Sequence, residues 1–317
     1  MKSPELSLEI KKKILDTGAS DCGFARAEKL QREYDFLKQW LAKGFHAGRD
    51  YLERTAESRG NPELVVPGAK TVIAALYNYY LPDTLSQKQC YRISRYAFGR
   101  DYHMVIKERL ESVAVFIRQV TESHNTRVFV DTAAVFEKAW AQRAGLGWIG
   151  KNSLLVNKKS GSFHFIGLII TDAELQYDVP VEEQCGNCNL CVEACPTGAL
   201  VGPHELDIHK CITGMTMDQK NPLPAERRSQ FGAFIYGCDI CQEACPWNKG
   251  LKPNDDKYFQ ISGSLKKMSA AEWENLSEER FIEITEHSAM KKISFSTLKR
   301  NIDFIRMGKI NHSDNTP

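Results

Sequence analysis

The stretch that decides the reading is Cys185-Gly-Asn-Cys188-Asn-Leu-Cys191-Val-Glu-Ala-Cys195-Pro196. Its spacing, C-x2-C-x2-C-x3-C-P, is the run that holds [4Fe–4S] clusters in bacterial-ferredoxin-like modules. Three thiolates on a short loop can occupy three corners of one cube. The fourth, carried past a helical turn, faces a different cube, and Pro196 keeps that segment from continuing as regular helix.

Further along the chain, Cys238-Asp-Ile-Cys241-Gln-Glu-Ala-Cys245-Pro246 repeats the run without its first cysteine. That position is Ile235, which cannot ligate iron. Cys211 stands alone between the two groups and is the natural replacement, so the count closes at eight thiolates for two cubes. By the crossing rule, Cys185, Cys188, Cys191 and Cys245 hold one cluster, and Cys195, Cys211, Cys238 and Cys241 hold the other. The competing reading is a pair of four-thiolate zinc sites. Zinc sites are usually built from paired C-x2-C knuckles, not from three-plus-one runs ending in Cys-Pro, so the spacing favours iron–sulfur. Two cubes in one small module more often conduct electrons than serve only as staples. Cys22 and Cys90 have no partner spacing and read as packed thiols.

The remaining composition is that of an ordinary globular chain: 317 residues, 42% hydrophobic and 26% charged. A net charge of +2 argues against a wholly basic nucleic-acid coat but leaves room for a local basic face. The N-terminus has no apolar core of signal-peptide type. The longest apolar stretches, Thr71–Tyr80 and Phe163–Thr171, are too short to span a bilayer. The expectation is a cytoplasmic protein with no membrane partner, in which ten cysteines serve metal rather than disulfides.

The predicted fold class is α+β, in three parts. An α/β domain covers 1–178, the ferredoxin-like two-cluster module 179–250, and a short helical segment 251–317. Helices are expected at Leu6–Asp16, Leu30–Leu41, Tyr102–Glu122 and Ala134–Ala144, with strands at Cys22–Ala27, Thr71–Tyr80 and Arg127–Val130. Ser153–Val156 and Phe163–Thr171 read as a hairpin across Asn157–Gly161. Helical patterns recur at Ala270–Trp273, Glu278–Thr285 and Ser296–Met307. The end of the chain is basic, with Lys291, Lys292, Lys299, Arg300, Arg306 and Lys309 against Asp303. Charge alone leaves two readings open, a solvated helix face or contact with phosphates.

Two motifs lack their context. Gly145-Leu-Gly147-Trp-Ile-Gly150 fits a dinucleotide fingerprint but follows a predicted helix rather than a strand, and as a P-loop it lacks the hydroxyl, having Asn152 after Lys151. Its glycines read instead as a close approach of backbone to a ligand. Asp101-x-His103 begins a cobalt-ligating pattern whose glycine is here Ile106, so His103 is not read as a ligand. Asp131 ends the strand Val128-Phe129-Val130. It is either a carboxyl with a raised pKa, suited to donating a proton, or a cap on the next helix.

Val130-Asp131-Thr132, Ala144-Gly-Leu-Gly-Trp-Ile-Gly-Lys-Asn-Ser153 and the ordered cysteines with outlying Cys211 together resemble the epoxyqueuosine reductase family, which completes queuosine in tRNA. The likeness covers about residues 5–250 and extends more weakly to about 309. The resemblance implies cobalamin held against the two clusters, as in reductive dehalogenases, with an external one-electron donor and tRNA carrying epoxyqueuosine as partners. It implies Asp131 as proton donor to the departing oxygen. It puts Arg54, Ser94, Leu155 and Thr213 at the cobalamin, and Lys151, Asn152 and Ser153 in the cofactor or substrate pocket. Lys138 falls where many members carry arginine, and Lys220 is expected near tRNA. Many members continue into a helical repeat that grips tRNA; this sequence stops at Pro317, leaving Lys291–Lys309 as the expected substitute. Two alternatives stand beside this reading: another corrinoid iron–sulfur reductase of dehalogenase type, and an electron carrier with no substrate.

Purified without oxygen, the protein is expected to be brown and to carry about eight irons per chain. A colourless, zinc-loaded preparation would contradict the cluster reading.

Overall fold

The computed structural model describes residues 4–82, 91–121, 123–218 and 220–313. Cys90 lies outside the described residues, as does the side chain of Lys309. The scaffold is a four-stranded sheet in the order Asp21–Arg26, Thr71–Asn78, His164–Thr171, Thr126–Phe129, with every pair antiparallel. The expected α/β character of the N-terminal part is thereby corrected to antiparallel α+β. The cause is burial on both faces, which makes the central strands read as continuous apolar runs of the kind parallel strands show.

Successive residues of Thr71–Asn78 feed two different cores. Ile73, Ala75 and Tyr77 pack with Ile10 and Ile14 of the Pro4–Asp16 helix and with Ile106, Leu110 and Val113 of the Tyr102–Thr121 helix. Val72, Ala74 and Leu76 face Ala139 and Trp140 of the Glu137–Arg143 helix. Gly167 lets the long helix sit close to the sheet, since a Cβ there would lie 2.5 Å from Leu110. This closeness sets Tyr102, at the start of the helix, flat on Phe165 with ring centroids 4.1 Å apart.

Two expectations fail locally. Leu155–Val156 pairs with Trp148–Ile149 and not with His164–Thr171. The glycine-rich loop therefore folds on itself as a two-stranded ribbon. Its glycines do approach backbone closely, but the backbone is the chain's own. A Cβ on Gly147 would lie 2.1 Å from the Val156 carbonyl oxygen, and one on Gly145 2.6 Å from that of Val179.

A third core joins all three parts of the chain. Tyr91 and Ile93, Phe231 and Phe234–Tyr236, and Trp273, Leu298 and Ile302 form one buried cluster. Within it Phe234–Tyr236 pairs in parallel with Arg92–Ile93. Asn301, on the Phe295–Ser313 helix, donates to the carbonyls of Thr216 and Ile235, both at 2.8 Å. Ile235, where the second run lacks its cysteine, is fully buried here. The C-terminal turns start cleanly because serines cap them: Ser262, Ser269 and Ser277 each accept a backbone N–H, and Ser269 forms a capping box with Glu272. Among the described residues, no helix is long and apolar enough to cross a membrane.

Replacing Gly147 by alanine drives a Cβ into a carbonyl and is expected to lower the thermal midpoint by several degrees, a cost of about 2 kcal/mol or more. Gly263→Ala, in open space at a helix start, is the control and should change little. Equal midpoints for the two variants would contradict the packing of the loop.

Candidate active site

A cavity of about 690 Å³ opens between the sheet domain and the cysteine loops. Tyr102, Asp131, Lys138, Asn152 and Phe165 line it from one side, and Cys195, Cys211, Thr213, Cys238 and Cys241 from the other. Its size is that of a site for a sizeable cofactor or ligand.

The cysteines gather into two neighbourhoods. Cys245 lies in the electrostatic range of Cys185 and Cys188, and Cys191 in that of Cys245 and Cys185. Cys211 feels Cys195, and Cys238 feels Cys211 and Cys195. Cys241 feels Cys238 and Cys211, and also Cys191, so the neighbourhoods adjoin there. Only the second neighbourhood reaches the cavity. Burial pushes the Cys238 thiol up to about 12 and Cys241 well above its ordinary value. Iron supplies the charge that makes such thiolates tenable. Among the described residues no three His, Cys, Asp or Glu side chains converge to grip a single ion.

The sulfurs receive hydrogen bonds from the protein. The Trp148 indole N–H donates to Cys185 Sγ at 3.4 Å, and the Ala199 amide to Cys195 Sγ at 3.3 Å. Such bonds stabilise charge on the sulfur and tune cluster potential. The second cysteine loop is locked to the sheet domain through a buried charge network. The Arg95 guanidinium meets Asp239 at 3.0 Å and Glu243 at 2.7 Å, and the Ser94 hydroxyl bonds Asp239.

Across the cavity, Asp131 follows the Thr126–Phe129 strand with a φ of +57°, a left-handed conformation that aspartate tolerates better than most residues. Its Oδ2 accepts from the Tyr102 hydroxyl at 3.0 Å and lies 2.9 Å from His103 Nε2 and 3.7 Å from Lys292 Nζ. His103 Nδ1 lies 2.6 Å from Asp101 Oδ1. The expectation of a raised pKa is reversed. The His103 hydrogen bond outweighs burial and, with the charges of His103 and Lys292, holds the Asp131 carboxyl at about 2. Burial pulls His103 down, but its bonds to Asp101 and Asp131 prevail and its pKa ends raised. The helix-cap reading also fails, because the next helix begins at Glu137 behind Phe136 without a side-chain cap.

Lys138 reaches the Ser153 carbonyl at 2.6 Å. Among the described residues, four buried polar atoms near the cavity have no protein partner: Asn152 Nδ2, Ser153 Oγ, Glu137 Oε1 and His164 Nδ1. Burial raises the Glu137 carboxyl to about 8 and lowers the His164 imidazole to about 4. Sequence reasoning missed Tyr102, Glu137 and His164, set His103 aside, and read Lys292 only as part of a basic stretch. The signal for His103 was its spacing from Asp101; the others carry none.

The other expected residues divide. Ser94 and Thr213 line the cavity. Lys151 points instead to Asn189 Oδ1 at 3.0 Å, beside the first cysteine loop. Leu155 is buried in the apolar core, and its neighbour Leu154 faces the cavity. Arg54 is exposed at the end of a short helix and does not line the cavity, whereas Arg49 does. Lys220 sits in an exposed turn built on Asp218. Lys291 lies 3.4 Å from Asp101 and Lys292 3.7 Å from Asp131, with both side chains still partly exposed at the rim of the site. Lys299 and Arg306 pair with Asp303.

Comparison with known proteins accords with this geometry. Residues 59–132 match the family model described as epoxyqueuosine reductase QueG, DUF1730, and residues 184–248 match the 4Fe-4S double cluster binding domain. The chain is 40% identical to the epoxyqueuosine reductase of Cellulophaga algicola, over 94% of this chain and 97% of that one. It superposes on a crystal structure of epoxyqueuosine reductase with an epoxyqueuosine-modified tRNA-Tyr stem loop, with a TM-score of 0.84, 29% identity, and 95% and 80% of the two chains covered. A Bacillus subtilis epoxyqueuosine reductase, with its catalytic aspartate loop swung out of the active site, matches at a TM-score of 0.84 and 29% identity, over 95% and 81%. A double-cluster module facing an acid-bearing cavity, and homology along nearly the whole length, lead to one conclusion: this chain belongs to the epoxyqueuosine reductase family.

Proposed function

We propose that the chain reduces epoxyqueuosine in tRNA to queuosine by passing electrons from one cysteine neighbourhood to the other and into the cavity, where Asp131 delivers a proton to the departing oxygen. The observation that carries this reading is the placement of Cys195, Cys211, Cys238 and Cys241 on one wall of the cavity that has Asp131 on another. In this account Cys185, Cys188, Cys191 and Cys245 ligate the outer cluster, which receives electrons from an external one-electron donor. Cys195, Cys211, Cys238 and Cys241 ligate the inner one.

The cavity suits a cobalamin. Its walls are largely apolar, as the faces of a corrin ring require, and the partnerless Asn152 Nδ2 and Ser153 Oγ match a ring edged with amides. Ser94, Asn152, Ser153 and Thr213 would hold the group, with Arg49 and Leu154 in the places first expected of Arg54 and Leu155. When bound there, cobalamin supplies a low-valent cobalt that acts on the epoxide. The chain's own work is to exclude water, orient the modified base and manage protons. Tyr102 and His103 aim the Asp131 carboxylate, and the raised affinity of His103 for a proton keeps one within 2.9 Å of Oδ2. That proton passes through Oδ2 to the oxygen as the C–O bond breaks. Lys138, on the cavity wall, and Lys220, in its exposed turn, are assigned to the tRNA. The swung-out aspartate loop of the Bacillus subtilis relative suggests that this loop moves to admit the base.

Asp131→Asn is expected to leave the iron count and the cobalamin absorption spectrum unchanged while turnover on an epoxyqueuosine-containing stem-loop falls by about 10²–10⁴-fold. Full activity in the variant would remove Asp131 from the proton path. The raised His103 pKa sets a sign for the wild type: turnover is held at pH below that value and declines as pH rises through it.

A further inference from the structure

Removing an epoxide oxygen as water breaks two C–O bonds, forms a C=C bond and consumes two electrons and two protons. The clusters pass on the electrons. One carboxyl carries at most one proton, and Asp131 is held ionised here, so each of the two protons reaches it in turn from His103, which takes up a fresh proton from solvent between them. Resting on the function proposed above, this leads to a role for the C-terminal segment.

We propose that Lys292 is a positioning residue that makes His103 release its proton, because the lysine ammonium and that proton compete for the same nitrogen. Lys292 Nζ lies 2.8 Å from His103 Nε2, and Asp131 Oδ2 lies 2.9 Å from it. An ammonium can only donate. With a proton on Nε2, the imidazole donates to Asp131. Once the proton has passed through Asp131 to the substrate, the Nε2 lone pair accepts from Lys292, and the neutral ring is stabilised. Asp101 Oδ1, 2.6 Å from Nδ1, keeps the other ring nitrogen protonated.

The groups facing His103 come from three elements. Asp101 and Tyr102 stand at its own helix start, Asp131 on the loop after the strand, and Lys291 and Lys292 on the Ala289–Lys292 turn. That turn is fixed in place. The Ser288 hydroxyl donates to the Ala97 carbonyl at 3.0 Å, the Asp101 amide donates to the His287 carbonyl at 2.6 Å, and the Tyr236 hydroxyl donates to the Ala289 carbonyl at 3.1 Å. Met290 beside them is fully buried. The backbone that carries Lys292 is therefore fixed, and its partly exposed side chain reaches the imidazole from the rim of the site.

The test is an ¹⁵N-imidazole NMR titration of His103 in the cluster-loaded protein, run beside the pH profile of single-turnover reduction of a modified stem-loop. Lys292→Met should move the His103 titration and the alkaline limb of the profile to higher pH by about 0.5–1 unit, because a repelling cation is gone. Asp101→Asn should move both to lower pH, because a stabilising anion is gone. Lys292→Arg, which keeps the charge, should sit near wild type. Unshifted titrations in Lys292→Met and Asp101→Asn, or loss of activity uniform across pH, would overturn the inference. If the wild-type chain fails to turn over the stem-loop, the functional reading fails instead, and the imidazole titration still decides the role of Lys292.

Discussion

In the reading proposed here, the architecture depends on a crossing of thiolates between two loops. In the sets assigned to the two clusters, Cys195 leaves the first loop to join Cys211, Cys238 and Cys241, and Cys245 leaves the second to join Cys185, Cys188 and Cys191. Neither cube is complete unless the loops lie face to face. Ligation energy thus becomes folding energy for the whole module. The protein invests polar and apolar contacts in that alignment. Arg95 and Asp239 form a nearly fully buried ion pair beside the second loop. The parallel pairing of Phe234–Tyr236 with Arg92–Ile93 ties the same loop to the sheet domain.

The cavity then arises where these constraints meet. One wall is the inner cysteine neighbourhood and another is the charged group around Asp131. In such a partly desolvated place, charges interact strongly, so the protonation of Asp131 and His103 is set by their neighbours rather than by solvent. The C-terminal segment takes part in this. Its core residues Trp273, Leu298 and Ile302 pack into the cluster that backs the second loop, and its Ala289–Lys292 turn brings two lysines to Asp101 and Asp131. The basic segment thus reaches the rim of the site.

How much of this was legible in the sequence follows from range. The strands Thr71–Asn78 and His164–Thr171 and the long Tyr102–Thr121 helix announce themselves through local periodicity. The cysteine spacing encodes a local loop geometry and so speaks for itself. Strand pairing does not. Leu155–Val156 sits near a turn sequence that suits a hairpin, yet it pairs backwards with Trp148–Ile149, because Gly147 admits the Val156 carbonyl. The acidity of Asp131 was read with the wrong sign, since its neighbours are not its sequence neighbours. Tyr102 and His103 come from 28 to 29 positions away. Lys292 lies farther still along the chain, and a lysine in a basic stretch gives no sign that it reaches an imidazole and a carboxylate across the fold.

The central claim is the crossed pairing, and counting irons in double variants tests it most directly. Cys195→Ala combined with Cys238→Ala removes two ligands of one cube, so about four of about eight irons should remain. Cys195→Ala combined with Cys185→Ala touches both cubes and should leave close to none. The reverse pattern, with irons lost entirely in the first pair and half retained in the second, would mean that each loop keeps its own cluster and would contradict the account.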